Sequence, residues 1–178
     1  MTRLFLAIWP PEDVIAELIS LPRKTQRGVR FIPPDNWHIT LRFLGEAQIS
    51  DVVDAMDDLD LPETVARLGP GVDALDERAL IVPVTGLDAL AECVNDATRH
   101  LGDPPRKRFL GHLTIARIKP NTRMPPAMGA YISTRFSVDE VCLVRSRLHA
   151  DGARYETVET WPTPSPSTIA TPPPFFEA

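Results

Sequence analysis

Cysteine is scarce in this chain: Cys93 and Cys142 are its only two, and they form no CxxC pair. Neither a disulfide framework nor a thiolate metal site is indicated, and a reducing compartment suits that usage. Long apolar runs are missing as well. The N-terminal run from Leu4 to Trp9 is halted by Pro10-Pro11, too short for a signal segment, and nothing approaches the ~18 apolar residues of a membrane span. Positive charge is in deficit. A net charge of −5 argues against gripping nucleic acid through many phosphate contacts, although a small phosphate-bearing ligand stays open. No GxxxxGK[ST] loop, Rossmann glycine pattern or HExxH occurs, which disfavours ATP, NAD and zinc-hydrolase chemistry. These absences predict a soluble cytoplasmic protein with no cofactor.

What is present begins with Asn36-Trp37-His38-Ile39-Thr40-Leu41-Arg42-Phe43-Leu44-Gly45. Alternation along a strand puts His38, Thr40 and Arg42 on one face and Trp37, Ile39, Leu41 and Phe43 on the other. Further along, Gly111-His112-Leu113-Thr114-Ile115-Ala116-Arg117 repeats the His-x-Thr pattern with aliphatic residues between. Both motifs close a similar train of elements. In the first half, the strand Arg3 to Ile8 and the helix start Pro10-Pro11-Glu12-Asp13 lead through Val14, Ile15, Leu18 and Ile19 on one apolar face. In the second, a strand from Arg78 to Val84 precedes a helix opened by Gly86. Its apolar positions run Leu87, Leu90, Val94, Ala97, Leu101, with Gly102 as C-cap. Aligning Arg3 with Arg78 makes the halves an internal duplication, which packs about a pseudo-twofold axis. Between them lie a helix capped by Ser50 and a short strand over 63–68. Ser137 to Leu148 and Arg154 to Trp161 read as a closing hairpin around Asp151-Gly152. Residues 1–161 therefore read as one folded unit, a compact domain or two small lobes sharing a core. Residues 162–178, with six prolines, read as a polyproline-like tail whose Phe175 and Phe176 could dock on the body.

Two facing histidines make a proton donor and a proton acceptor near neutral pH, which in-line displacement at phosphorus requires. Thr40 and Thr114 follow their histidines by two residues on the same strand face, and Arg42 extends the first row by one step. Hydroxyl and guanidinium donors there hold the non-bridging oxygens. Two histidines are too few for an ordinary zinc site. His100, near a helix end, and His149, before a turn, read as structural. The basic clusters Arg106-Lys107-Arg108 and Arg145/Arg147 read equally well as solvated surface.

Three segments together resemble the LigT-like branch of the 2H phosphoesterase superfamily. They are Trp37-His38-Ile-Thr40-Leu-Arg42-Phe-Leu-Gly45, then Phe109-x-x-His112-Leu-Thr114-Ile-Ala-Arg117, and Phe136 to Leu148 with Gly152-Ala-Arg-Tyr155. The resemblance covers about residues 3 to 161. It implies an α+β, bilobal fold, with an antiparallel sheet from each lobe facing a central cleft and helices on the outside. It also implies a monomeric, metal-independent RNA 2',3'-cyclic phosphodiesterase that leaves a 2'-phosphate. Its partners are RNA 3' ends or cyclic-phosphate nucleotides, with possible reverse 2'-5' RNA ligation. His38 and His112 are then catalytic, with His38 as acid and His112 as base, and Thr40, Thr114, Arg42 and Arg117 bind substrate. Members usually carry proline before the second histidine, where this chain has Gly111. Strict alternation would set Arg117 opposite His112, so a role beside it requires a bend in the strand. The alternatives are a non-catalytic RNA-end or nucleotide-binding module, and a 2H enzyme for a small cyclic-phosphate nucleotide.

Overall fold

The computed structural model describes residues 2–150 and 152–166. The expected docking of Phe175 and Phe176 lies outside them. The chain runs β1 (Thr2–Ile8), α1 (Glu12–Ile19), β2 (Val29–Phe31), a 3-10 turn (Pro34–Asn36), β3 (Ile39–Ala47), α2 (Ile49–Met56), β4 (Val65–Leu68) and β5 (Asp73–Leu75). It continues with β6 (Ala79–Thr85), α3 (Asp88–Ala97), β7 (His112–Ile118), β8 (Thr134–Ser137), β9 (Glu140–His149) and β10 (Gly152–Pro162). The strands join in the order β10-β9-β1-β3-β7-β6-β4-β8, with β2 added to β7 and β5 to β6. Every pairing is antiparallel. The result is a curled half-barrel of antiparallel strands with three helices. Two separate facing sheets were expected. Hydrogen bonding instead links the halves into one path, through the single β3–β7 pair Ile39↔Leu113.

Apolar periodicity places the helices correctly: Val14 and Leu18, Val52 and Met56, and Leu90, Ala91 and Val94 are buried in one core with Leu4, Leu6, Ile39 and Leu113. Helix α3 is shorter than its apolar spacing predicts. It ends at Ala97, and the C-cap Thr98 donates both its backbone N–H (3.1 Å) and its hydroxyl (2.7 Å) to the Val94 carbonyl. Leu101 and Gly102 therefore belong to a turn and not to the helix. An α-carbon substituent at Gly102 would stand 1.9 Å from the Leu44 carbonyl oxygen, so only glycine lets this turn rest on β3.

The two His-x-Thr strands share one irregularity, and β3 carries a second at Leu44 that β7 lacks. In β1–β3 the pairs are Phe5↔Phe43, Leu6↔Arg42, Ala7↔Thr40 and Ile8↔Ile39, with a register shift that leaves Leu41 extra. In β6–β7 they are Ala79↔Arg117, Leu80↔Ala116, Ile81↔Thr114 and Val82↔Leu113, with Ile115 extra. Each position recurs 74 residues on, as His38 does at His112. The sequence alignment of Arg3 with Arg78 is thus one residue out of step. The ladder sets Phe5 against Ala79 and hence Arg3 against Glu77.

Candidate active site

A β-bulge reverses which face the following side chains occupy. After Thr40 the bulge at Leu41 turns Arg42 inward and Phe43 outward: Arg42 is 3% exposed and Phe43 51%. This corrects the expectation that Arg42 shares the face of His38. Its guanidinium donates instead to the carbonyls of Phe43 (2.6 Å), Leu101 (3.0 Å) and Asp103 (2.5 Å), and it does not line the cleft. The bulge at Ile115 does the same in β7 and brings Arg117 round to the side of His112 and Thr114, supplying the bend that its role demanded. Position five after each histidine therefore holds a cleft-facing residue, phenylalanine in one half and arginine in the other.

His38, Thr40, His112, Thr114 and Arg117 line one cleft of about 580 Å³. Ile39 and Leu113 pair antiparallel, which sets His38 across from Thr114 and Thr40 across from His112. Each imidazole is held the same way. Nδ1 of His38 lies 2.7 Å from the Asn36 carbonyl oxygen, and Nδ1 of His112 lies 2.7 Å from the Leu110 carbonyl oxygen. A carbonyl only accepts, so Nδ1 carries the hydrogen in both rings and Nε2 is left to take or give a proton. Asn36 is itself anchored, its side-chain amide donating to the Ala153 carbonyl at 3.2 Å.

The surroundings of the two rings differ. His38 is boxed by Phe5, Tyr155 and Trp9, with ring centroids 4.9, 5.0 and 5.6 Å away. The Trp9 indole N–H donates to Thr157 Oγ1 at 3.0 Å. Burial among these rings pushes the His38 pKa below its usual value, against the pull of the Asn36 carbonyl, and the positive charges of His112 and Arg117 push the same way. Sequence reasoning missed this box. The cross-strand register of β1, β9 and β10 was the only signal that could have found it.

Arg3, Arg78, Arg106 and Arg117 also border the cleft, against the carboxylates of Asp76 and Asp103. Cationic walls around a cleft attract anions even where the whole chain is acidic. Arg145 and Arg147 take no part. They alternate with the cleft-lining Ser146 and lie near Glu156, Arg145 at 2.7 Å and Arg147 at 3.9 Å. His100 and His149 are also absent from the cleft lining. No group of three or more His, Cys, Asp or Glu side chains among the described residues is arranged to hold a metal ion. Nor, among them, is any helix long and apolar enough to cross a membrane.

Residues 8–69 match the family model described as LigT like Phosphoesterase. A protein of Thermus thermophilus named RNA 2',3'-cyclic phosphodiesterase is 30% identical over 88% of this chain and 88% of its own length. One of the same name from Aquifex aeolicus is 31% identical over 89% of this chain and 96% of its own. Among solved structures, that of E. coli LigT complexed with 3'-AMP superposes with a TM-score of 0.72, at 23% identity, over 91% of this chain and 98% of that one.

Proposed function

Since the chain belongs to the LigT-like phosphoesterases, we propose that it hydrolyses the 2',3'-cyclic phosphate at RNA 3' ends to a 2'-phosphate, with His38 and His112 as general acid and base and without a metal ion. The observation that carries this reading is the pair of Nε2 atoms left free by carbonyl-held Nδ1 atoms, on two strands that meet at Ile39↔Leu113 over one cleft. Relatives named for this activity support it. So does the constant 74-residue offset between the ladders, which favours a duplicated, two-lobed domain over residues 1–161 with the cleft between equivalent strands. Every group invoked comes from one chain, which favours a monomer as the working unit.

In the reaction one imidazole takes a proton from water as its oxygen attacks phosphorus. The P–O3' bond breaks and the other imidazole protonates O3', leaving the phosphate on O2'. Thr40, Thr114 and Arg117 hold the non-bridging oxygens, where negative charge grows. Phe43, with the Arg106 guanidinium carbon 5.9 Å from its ring centroid, offers an aromatic face for the terminal base. With a 5'-hydroxyl in place of water as the entering group, the same steps in the same direction, again breaking P–O3', would make a 2'-5' linkage. Arg42 has no part in this chemistry.

The test is incubation with a cyclic-ended oligonucleotide in EDTA, with products identified by phosphorus NMR. A 2'-phosphate is expected; unchanged substrate would favour a binding module, and activity only without EDTA would end the metal-free mechanism. His38→Ala and His112→Ala should each lower kcat by about 10² to 10⁴. Replacing O3' by sulfur gives a leaving group that needs no acid. It should rescue the variant lacking the acid and not the one lacking the base. Rescue of His38→Ala gives the acid role that the resemblance implies. Rescue of His112→Ala gives the reverse, which the burial of His38 favours by disfavouring its charged form.

A further inference from the structure

We propose that residues 103–110, the segment between α3 and β7, form a wall that binds the single strand leading to the reacting 3' end, with Lys107 and Arg108 contacting phosphates on its 5' side. This rests on the phosphodiesterase reading above. Arg106, Lys107 and Arg108 are consecutive and exposed, and none makes an ion pair among the described residues. In an acidic chain such a triplet is a local cationic patch beside the cleft's other arginines, and its position fixes what it can meet. Arg106 reaches over Phe43, the half-exposed ring on the cleft wall, so the triplet continues the cleft outward from the aromatic position. A terminal base laid on Phe43 sends its 5'-phosphate away from the reacting phosphate, along this wall.

The wall is rigidly mounted. At its start, buried Arg42 donates to the Leu101 and Asp103 carbonyls, and the Asp103 N–H donates to the Leu44 carbonyl at 2.7 Å. At its end, the Val84 N–H donates to the Gly111 carbonyl at 2.9 Å, and a side chain at Gly111 would stand 2.3 Å from the Val84 oxygen. Burying a guanidinium is costly unless its hydrogen bonds are made, and here the two Nη groups are committed to carbonyls that hold the segment against β3, while Nε is buried without a partner. The last base must be unpaired to leave the stack and meet Phe43, which suits a single-stranded end.

The experiment compares cytidine 2',3'-cyclic phosphate with a single-stranded oligonucleotide ending in the same cyclic nucleotide, for the wild type and the double variant Lys107→Ala/Arg108→Ala. For the oligonucleotide at low salt, kcat/KM should fall about tenfold, and its log–log salt slope should flatten by about 0.7 for each phosphate contact removed. Turnover of the mononucleotide should not change. An unaltered oligonucleotide rate and salt slope, or a parallel loss on the mononucleotide, would overturn the proposal. Inertness of the wild type towards both substrates would instead overturn the phosphodiesterase reading. The wall is then decided by the affinity of the 2'-phosphate-ended oligonucleotide in fluorescence anisotropy, with the same salt-slope criterion.

Discussion

His38 shows what its setting does to a titratable side chain. Packing against Phe5, Trp9 and Tyr155 removes water from the ring, so its charged form is disfavoured and its pKa is lowered from 6.5. The sign of the linked stability effect follows. Below pH 6.5 the unfolded chain binds the proton more readily than the folded one. Stability is therefore full above that pH and declines as pH falls through the interval between the unfolded and folded values. Denaturant melts at pH 7 and pH 5 should show this loss in the wild type and a smaller one in His38→Gln, which cannot titrate there. In NMR the His38 ring should titrate below 6.5 in the free protein, and inorganic phosphate in the cleft should raise its midpoint. An unshifted midpoint would mean that the aromatic box does not close over the ring in solution.

Single strands explain why sequence was a good guide to some residues and a poor one to others. His38, Thr40, His112 and Thr114 precede the bulges, so plain alternation puts them on the right face. Arg42 and Phe43 follow a bulge and exchange places, and Arg117 gains the cleft for the same reason. Nothing local in Leu41 or Ile115 announces an extra residue, because a bulge depends on the neighbouring strand as much as on its own. The short strands β2, β5 and β8 were illegible likewise, since three or four residues carry too little periodicity and form only where β7, β6 and β4 offer an edge. Arg42 provides the clearest test of the inverted face. Arg42→Met keeps the bulk but strands the carbonyls of Leu101 and Asp103, and should cost about 3 kcal/mol in chemical denaturation. Its kcat on the mononucleotide should stay near wild type, whereas a residue holding phosphate would lower it strongly.

Across the whole molecule, the succession of strand, helix and His-x-Thr strand was readable at both places where it occurs, because apolar spacing and proline punctuation mark each. The joining of those halves was not. β3 and β7 touch at one register pair, and the partners are the residues between histidine and threonine in the two motifs, Ile39 and Leu113. Both are fully buried beneath the sheet. In Leu113→Ala, the cavity should cost about 2 to 5 kcal/mol in stability. Because the two strands splay on either side of this pair, kcat should also fall while the rings stay chemically intact, and Ile39→Val should give a milder form of both effects. Stability loss with unaltered kcat would mean the rings are held apart by other contacts. The middle letter of His-x-Thr is then no spacer. It acts as a gauge block: two aliphatic side chains packed in the interior fix how the His-x-Thr strands meet, so on the function proposed above a change in the oily interior would retune the chemistry without altering any group that performs it.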